Sequence, residues 1–306
     1  MINNNKNNNN ILKKAIISGC SVITEMLSAG LFFENIKLEK QRTSLPYRTI
    51  ASNLLKNNIK GYWSGFIPWG ATLGFGKGFV IGGSKSKLDN YFKLKDFSDY
   101  NTNILSGFGA GACQGAFMSP LIMARIRVNQ SLLDRSKNHP LKTSIFNEIK
   151  LSSSILNTAI KEEGPSILFK GMPVMIAKQS LDWGARFTLV DTFRRQIIKE
   201  NNTLTEWEKL YTAWCGGALS VSFTMPIDRV IPLIQESNTN KKPLINILFN
   251  KINNEGITTM FRGWRIRTFQ CGYHTTFAIF LSDKIYNYFD CDNLLFYSFI
   301  SKSNKI

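Results

Sequence analysis

One short pattern occurs three times in this chain and constrains its fold more than any other feature. Each copy consists of an aromatic residue, one further residue and a glycine that begins an apolar segment. The three glycines are Gly65, Gly171 and Gly263. Seven residues before each glycine stands a residue typical of turns, namely Asn58, Gly164 and Gly256. A long pattern that recurs three times predicts one structural unit copied three times.

A second pattern places the copies along the chain. Pro120 and Pro226 each end a long uncharged run, and a polar stretch follows each of them. The matching position of the first copy is Phe32, so the first copy lacks the proline. These marks predict three repeats, at 11–95, 100–199 and 204–290. A disordered, asparagine-rich tail is expected at 1–10 and a C-terminal tail at 291–306.

Composition alone would also suit a soluble basic protein that binds nucleic acid, because the formal net charge is +17. Lysine and asparagine crowd the ends and loops, however, and apolar runs lie between them. Ile104–Ala124 carries no charge over 21 residues, and Leu210–Ile227 carries none over 18. Ala15–Phe33 contains a single charged residue, Glu25. Runs of this length predict helices that cross a membrane, with no nucleic-acid partner.

The apolar segments that follow the three glycines contain a few charges. Lys178, Asp182 and Arg186 are spaced by four residues, so they share one face of a helix. Charges inside a membrane are costly unless they face water or a partner, and this face is therefore expected to line a wet cavity. Two helices per copy give six spanning helices. A short amphipathic segment is expected within each copy, at Tyr47–Lys56, Ile155–Glu162 and Leu244–Asn253.

With these marks, the chain resembles the mitochondrial carrier family over about Ile11 to Phe289. Each repeat of that family has a proline, acid and base signature on its first helix and an aromatic-base-glycine signature before its second. The resemblance implies an all-α bundle of six transmembrane helices in three pseudo-threefold repeats, each with a short helix on the matrix side. It also implies a multi-pass protein of the mitochondrial inner membrane, with both termini toward the intermembrane space and a central site that opens alternately to either side.

The same resemblance predicts the kind of substrate. In this family, the residues seven and eight positions after each glycine contact substrate; here they are Thr72 and Leu73, Lys178 and Gln179, and Gln270 and Cys271. Lys178-Gln179 followed by Arg186-Phe187 resembles the tricarboxylate (citrate) carriers of the family. An anionic tricarboxylate or dicarboxylate, moved by antiport, is therefore expected. The expected substrate-binding residues are Lys77, Lys178, Gln179, Asp182, Arg186, Arg267 and Gln270.

Asp182 leaves other functions open, because it stands between two cations and cancels part of their positive field. It would suit the ammonium group of an amino acid, which makes an amino-acid carrier one alternative. It could also hold Lys178 and Arg186 in a purely structural network. A carrier-fold membrane adaptor without transport activity is a further alternative that the missing proline at Phe32 would permit. In a working carrier, Ser28 to Gly30 could supply the helix bend instead.

The resemblance implies a matrix gate in which the acid of each odd-numbered helix pairs with the base of the next. The two expected ion pairs are Glu34 with Arg125 and Asp228 with Lys37. In the third pair both partners are apolar, Ile122 and Ile231. Replacing one partner would leave an unpaired buried charge, whereas replacing both is close to neutral. A gate with two ion pairs and one apolar contact is therefore expected.

The gate on the cytoplasmic side is expected to be less complete. Asp191 with Arg194, and Asp283, occupy the matching positions, and Lys85 replaces an acid in the first copy. Lys85 could pair with Asp283. The basic residues within Lys37–Arg48 and Arg125–Lys142 predict a positive matrix side that contacts anionic lipid such as cardiolipin.

Other chemistry finds little support in the sequence. The two histidines, His139 and His274, offer no pair for a zinc site, and no metal or cofactor is expected. Gly107, Gly111 and Gly115 are spaced by four residues and predict close helix packing rather than a phosphate loop. No secretory signal is expected within Met1 to Asn10. The chain is expected to be a monomeric transporter and not an enzyme.

Overall fold

The computed structural model describes residues 2–42, 45–56, 69–136, 145–169, 171–201, 204–236 and 264–288, with single residues at 253, 256, 261 and 263. These residues are largely helical and contain no strand, which agrees with the expected all-α class. The elements in chain order are α1 (Ile2–Glu25), a π-helical turn (Met26–Gly30), α2 (Leu31–Arg42), α3 (Tyr47–Lys56), α4 (Ala71–Leu94), α5 (Asp99–Ser136), α6 (Ile145–Glu163), a 3₁₀ turn (Pro165–Phe169), α7 (Met172–Asn201), α8 (Glu206–Glu236) and α9 (Trp264–Tyr288).

The long helices form a ring. Helix α1 packs on α4, α4 on α5, α5 on α7, α7 on α8 and α8 on α9. Helix α9 packs back on α1 and so closes the ring. Outside the ring, the short helix α3 contacts α2, and α6 contacts α5. The space inside this ring is where the candidate site lies.

Rows of glycine allow neighbouring helices in the ring to approach closely. The row on α5 is Gly107, Gly111 and Gly115, and it meets α7. A Cβ atom on Gly111 would overlap the backbone carbonyl oxygen of Gln179. On α4, a Cβ atom on Gly78 would overlap the backbone of Ser18 in α1 in the same way. The close packing that the glycine spacing predicts on α5 is therefore confirmed.

The glycines of the repeated pattern occupy tight corners. The backbone angle φ is +82° at Gly164, +83° at Gly171, +80° at Gly256 and +88° at Gly263. Residues with a side chain rarely adopt this conformation, which explains why glycine stands there. Helices α7 and α9 each begin one residue after such a corner, at Met172 and Trp264. In the first copy, Asn58 and Gly65 lie outside the described residues.

The shorter segments match the sequence only in part. Helix α3 has the predicted bounds, Tyr47–Lys56, and α6 contains the predicted segment Ile155–Glu162 but begins earlier, at Ile145. The third predicted segment lies outside the described residues apart from Asn253, as does the tail at 291–306. The asparagine-rich start, expected to be disordered, is helical from Ile2 and extends α1. Once a helix exists, each added residue gains one backbone hydrogen bond, so polar residues can prolong it.

The first long helix is interrupted differently from the second and third. Pro120 lies inside α5 and Pro226 inside α8, whereas the first helix has the π turn Met26–Gly30 shortly before Phe32. In this turn the backbone N–H of Leu31 donates to the carbonyl of Met26, five residues back. The turn includes Ser28 to Gly30, the segment expected to replace the proline. The π turn, which contains one extra residue per turn, therefore interrupts the regular helix shortly before the position at which the family signature places a proline.

Hydropathy supports one membrane crossing among the described residues. The helical stretch Asn9–Lys37, near the N-terminus, is long and apolar enough to cross a membrane. A buried helix of a soluble protein or a signal sequence has the same composition, so one such helix is weak evidence. The uncharged runs in α5 and α8 are interrupted by glycine, serine and other weakly polar residues, which lower their hydropathy.

Candidate functional site

A cavity of about 140 Å³ lies within the ring of helices. Its walls come from α1, the π turn, α2, α4, α5, α7 and α9. All seven residues that the sequence predicts as substrate contacts line it, namely Lys77, Lys178, Gln179, Asp182, Arg186, Arg267 and Gln270. Glu34 and Lys37, which were expected at the matrix gate, line the same cavity. The structure thus brings these separate predictions together in one place.

Counting from the repeated glycine locates the cavity in two of the three copies. Seven and eight residues after Gly171 and Gly263 stand four cavity residues, Lys178, Gln179, Gln270 and Cys271. In the first copy, Thr72 is exposed and the buried Leu73 is absent from the lining, whereas Lys77, further along α4, does line the cavity. Residues 69 and 70 are π-helical ahead of α4. The fixed count from the glycine that locates the cavity in the second and third copies therefore does not hold in the first.

Arg186 is held within its own helix. The three charged residues of α7 line the cavity together, as their spacing predicts. Arg186 Nη2 lies 3.1 Å from Asp182 Oδ2, and both side chains are buried. The guanidinium also lies over the ring of Trp183, 4.5 Å from its centroid. An arginine stacked on an aromatic ring and paired with a carboxylate has a fixed position.

Asp228 of α8 joins three helices through ion pairs. Its Oδ1 atom lies 2.9 Å from Lys178 Nζ in α7, and its Oδ2 atom lies 3.2 Å from Arg267 Nε in α9. Arg267 also approaches Asp182, with 3.8 Å between Nη2 and Oδ2. The expected pair of Asp228 with Lys37 is not formed. Two nearer cations already contact the two oxygens of Asp228, and Lys37 is attracted to it only at longer range.

The other predicted contact of the matrix gate is present. Arg125 Nη1 lies 2.8 Å from Glu34 Oε1, with both side chains largely buried. Glu34 also attracts Lys37 and Lys77 across the cavity. Ile122 is partly buried on α5, while the side chain of Ile231 lies outside the described residues. The geometry therefore shows one ion pair of the predicted gate and leaves the apolar pair as a prediction.

Lys85 does not form the pair that was considered for it on the cytoplasmic side. Its Nζ atom lies 2.9 Å from Asp89 Oδ2, donates to Ser106 Oγ, and lies 4.8 Å from the ring centroid of Phe187. The pairing with Asp283 is therefore wrong. Asp89 lies one turn away on the same helix, so it reaches the buried ammonium group without any movement between helices.

The other residues predicted for the cytoplasmic gate are Asp191, Arg194 and Asp283. Asp191 Oδ2 accepts from Arg195 Nε at 3.0 Å, a contact one turn along α7. Arg194 is buried and attracts Asp283 of α9. Asp191 thus pairs with Arg195, and Arg194 lies close enough to Asp283 to attract it.

A carboxylate–imidazole pair in the cavity was missed by the sequence reasoning. His274 Nδ1 lies 3.2 Å from Glu25 Oε2, and both residues line the cavity. Glu25 is buried beside Gly30, where a Cβ atom would overlap its carboxylate. The π turn therefore leaves the space that this carboxylate occupies. The signal was present, since Glu25 is the single charge in the run Ala15–Phe33, and an intramembrane charge usually has a partner.

A short hydrogen-bond chain fixes the cavity wall between α4, α5 and α7. Trp183 Nε1 donates to Gln114 Oε1 at 2.7 Å, and Gln114 Nε2 donates to the backbone carbonyl of Lys77 at 3.0 Å. Gln114 was not singled out from the sequence. With both ends of its amide engaged, Gln114 orients the indole on which Arg186 stacks and fixes the backbone of Lys77.

The side chains that line the cavity include cationic groups and neutral hydrogen-bond donors. Among the described residues no group of three His, Cys, Asp or Glu side chains could hold a metal ion, and His139 lies outside that part of the chain. Lysine and arginine donors suit carboxylate or phosphate ligands, and the amides of Gln179 and Gln270 add neutral donors.

A ring of helices around a cavity lined by opposed charges is the arrangement expected of a helical solute carrier. Two consecutive segments, residues 98–201 and 202–292, match the family model described as mitochondrial carrier protein. Together they span well over half of the chain. The chain therefore belongs to the mitochondrial carrier family, whose members are transporters.

Several carriers of known name are similar along much of their length. The citrate/oxoglutarate carrier protein of Saccharomyces cerevisiae is 23% identical over 281 residues, which are 88% of this chain and 87% of the relative. The succinate/fumarate mitochondrial transporter of the same yeast is 25% identical and covers 71% of this chain and 76% of its own. The mitochondrial citrate transporter C of Aspergillus niger is 25% identical over 60% of this chain and 59% of its own.

Proposed function

We propose that this protein exchanges a small carboxylate metabolite, a tricarboxylate or a dicarboxylate, across the mitochondrial inner membrane by alternating access. The observation that carries the proposal is the cavity inside the helix ring, where lysine and arginine side chains outnumber carboxylates. The names of several relatives, which include citrate, oxoglutarate, succinate and fumarate carriers, support the same class of substrate. Exchange by antiport is part of the proposal.

The proposed membrane arrangement has six spans. The first span would be formed by α1 with α2 and the others by α4, α5, α7, α8 and α9, so that the repeats 11–95, 100–199 and 204–290 contribute two each. Both termini would face the intermembrane space, and α3 and α6 would lie on the matrix side. The family membership and the ring of long helices support this arrangement. On the matrix side, basic residues would contact anionic lipid such as cardiolipin, and the carrier would act as a monomer.

The proposed substrate contacts are the seven predicted residues that line the cavity. Lys77, Lys178, Arg186 and Arg267 would attract the carboxylates, Gln179 and Gln270 would donate neutral hydrogen bonds, and Asp182 would position the two arginines. The proposed matrix gate uses the ion pair between Glu34 and Arg125. Its apolar contact would form between Ile122 and Ile231. Asp191, Arg194 and Asp283 would serve the cytoplasmic gate.

An anionic substrate is favoured over a zwitterionic amino acid by the contacts of Asp182. An amino-acid carrier would need this carboxylate for the ammonium group of its substrate. Asp182 lies 3.1 Å from Arg186 and 3.8 Å from Arg267, so two guanidinium groups already neutralise it. The alternative of a transport-inactive adaptor is also less well supported. The missing proline had permitted it, but the π turn interrupts the first helix near that position.

Uptake into liposomes tests the proposal. Purified protein should exchange labelled citrate, malate or oxoglutarate but not glutamate. Lys178→Ala and Arg186→Ala should each lower uptake by about tenfold or more, because one charge-assisted hydrogen bond contributes about 1.5–3 kcal/mol. Lys87→Ala is the matched control, since Lys87 is exposed on α4 and does not line the cavity. No exchange of any carboxylate by inserted protein of unchanged thermal stability would refute the proposal.

A further inference from the structure

The charges around the cavity do not balance. Its walls and their direct ion-pair partners include six lysine or arginine side chains among the described residues: Lys37, Lys77, Arg125, Lys178, Arg186 and Arg267. They include four carboxylates: Glu25, Glu34, Asp182 and Asp228. Counted over these lysine, arginine and carboxylate side chains, the site therefore has an excess of two positive charges.

The excess is concentrated on two lysines. Every carboxylate of the site has a close partner: Arg125 for Glu34, Arg186 for Asp182, Lys178 for Asp228 and His274 for Glu25. Arg267 is shared between Asp182 and Asp228. The side chains of Lys37 and Lys77 line the cavity and make no ion pair or hydrogen bond with any residue that the structure describes.

The position of these two lysines suits a ligand with two separated negative groups. Lys37 comes from α2 and Lys77 from α4, so the two ammonium groups enter the cavity from different helices. Both are attracted to Glu34, which is already engaged by Arg125 at 2.8 Å. A second anion between them would therefore meet two cations that lack a close counter-charge.

We infer that the site selects dianionic carboxylates over trianionic and monoanionic ones, and that Lys37 and Lys77 each contact one carboxylate of the substrate. This inference rests on the proposed carboxylate transport and narrows it. It also gives Lys37 a role in binding, in place of the ion pair with Asp228 that the sequence suggested.

Charge balance should decide selectivity because the charged side chains around the cavity are largely buried. An uncompensated charge inside a membrane protein is costly, and pairing removes most of that cost. A dianion makes the loaded site neutral, whereas a trianion leaves one negative charge and a monoanion leaves one positive charge.

Competition for exchange tests this selectivity. Succinate and malate represent dianions, citrate the trianion and lactate the monoanion, at an alkaline pH where the carboxyl groups of all four substrates are ionised. The wild-type carrier should exchange succinate or malate at least about tenfold better than citrate and lactate, as expected for one unpaired charge-assisted contact.

Two variants should move the preference in opposite directions. Lys77→Gln removes one positive charge and should lower the ratio of succinate to lactate exchange by about tenfold. Glu25→Gln removes one negative charge with little change in shape and should raise the ratio of citrate to succinate exchange. Lys87→Gln is the matched control, because Lys87 is exposed on the same helix as Lys77 and should leave both ratios unchanged.

The outcomes separate the inference from the proposal on which it rests. Preference of the wild type for citrate, or ratios that do not change in either cavity variant, would overturn the dianion inference while carboxylate transport stands. Absence of all carboxylate exchange would overturn the proposed function itself. If one variant fails to insert, the other still changes the net charge in its own direction and still decides the inference.

Discussion

The first and second helix pairs of the ring are packed alike but carry their charges differently. Helix α1 packs on α4, and α5 packs on α7, in each case through glycines that would clash with the neighbouring backbone if they had a side chain. In the second pair, Arg186 and Lys178 have carboxylate partners at 3.1 and 2.9 Å. In the first, Lys77 of α4, like Lys37 of α2, which continues α1, lacks an ion pair within the described residues. The two helix pairs thus pack in the same way but differ in how their charged side chains are paired.

The two pairs also interrupt their first helix by different means. Helix α5 contains Pro120, which removes a backbone donor from the helix. The first helix instead contains the π turn Met26–Gly30, which keeps its donors and adds a residue. The π turn also leaves space beside Gly30 for the Glu25 carboxylate. A proline would supply only the interruption, so the first pair gains a buried acid that α5 lacks at that place.

The largest expected effects come from the glycines at the two helix contacts. Gly111→Ala and Gly78→Ala should each destabilise the protein by about 3 kcal/mol or more, because the new methyl group meets backbone that cannot move without separating the helices. The thermal unfolding midpoint of the purified protein measures the loss. Similar losses in both variants would establish that the two pairs pack equally closely.

Gly83→Ala is the control for both of these variants. A Cβ atom at position 83 would lie 3.3 Å from the Cβ atom of Ala15, a contact that a small shift can relieve. Alanine also stabilises a helix by about 1 kcal/mol relative to glycine. Gly83→Ala should therefore be close to neutral. A Gly111→Ala protein as stable as this control would contradict the close packing of α5 on α7.

The parts of this fold that follow from local spacing could be predicted from the sequence. The turn glycines of the second and third copies, the short helix Tyr47–Lys56 and the glycine row on α5 were all expected. The face shared by Lys178, Asp182 and Arg186 was expected for the same reason, since helical periodicity alone determines it. Each of these features depends on residues a few positions apart.

The ion pairs across the ring were harder to predict, because several cations compete for each carboxylate. Asp228 could have paired with Lys37, but Lys178 and Arg267 lie closer in the folded chain. Lys85 forms its ion pair with Asp89 on its own helix and not with Asp283. The pair of Glu25 and His274 joins residues 249 positions apart. Partner choice of this kind depends on distances of a few ångströms that sequence spacing does not determine.

An intermediate effect should arise at Gly30, the residue that sets the first pair apart. Gly30→Ala would push the Glu25 carboxylate away from His274 and should cost about 1–3 kcal/mol, less than the two contact glycines because a side chain can move. In a Glu25→Ala background the overlap is gone, and Gly30→Ala should be neutral or slightly stabilising. Equal losses in both backgrounds would show that Gly30 does not act through Glu25.

The smallest expected effects compare a serine hydroxyl in each pair. Ser180 Oγ donates to the carbonyl of Phe108 at 2.9 Å and so joins α7 to α5, whereas Ser28 Oγ lies 2.7 Å from the hydroxyl of Tyr273 at a more exposed place. Ser180→Ala should cost about 1 kcal/mol and Ser28→Ala about 0.5 kcal/mol, because water can replace the partner of an exposed hydroxyl. Thermal unfolding of both variants, beside Tyr273→Phe, measures the difference. A larger loss for Ser28→Ala than for Ser180→Ala would mean that the π turn depends on this hydroxyl, and that the first pair is the more fragile of the two.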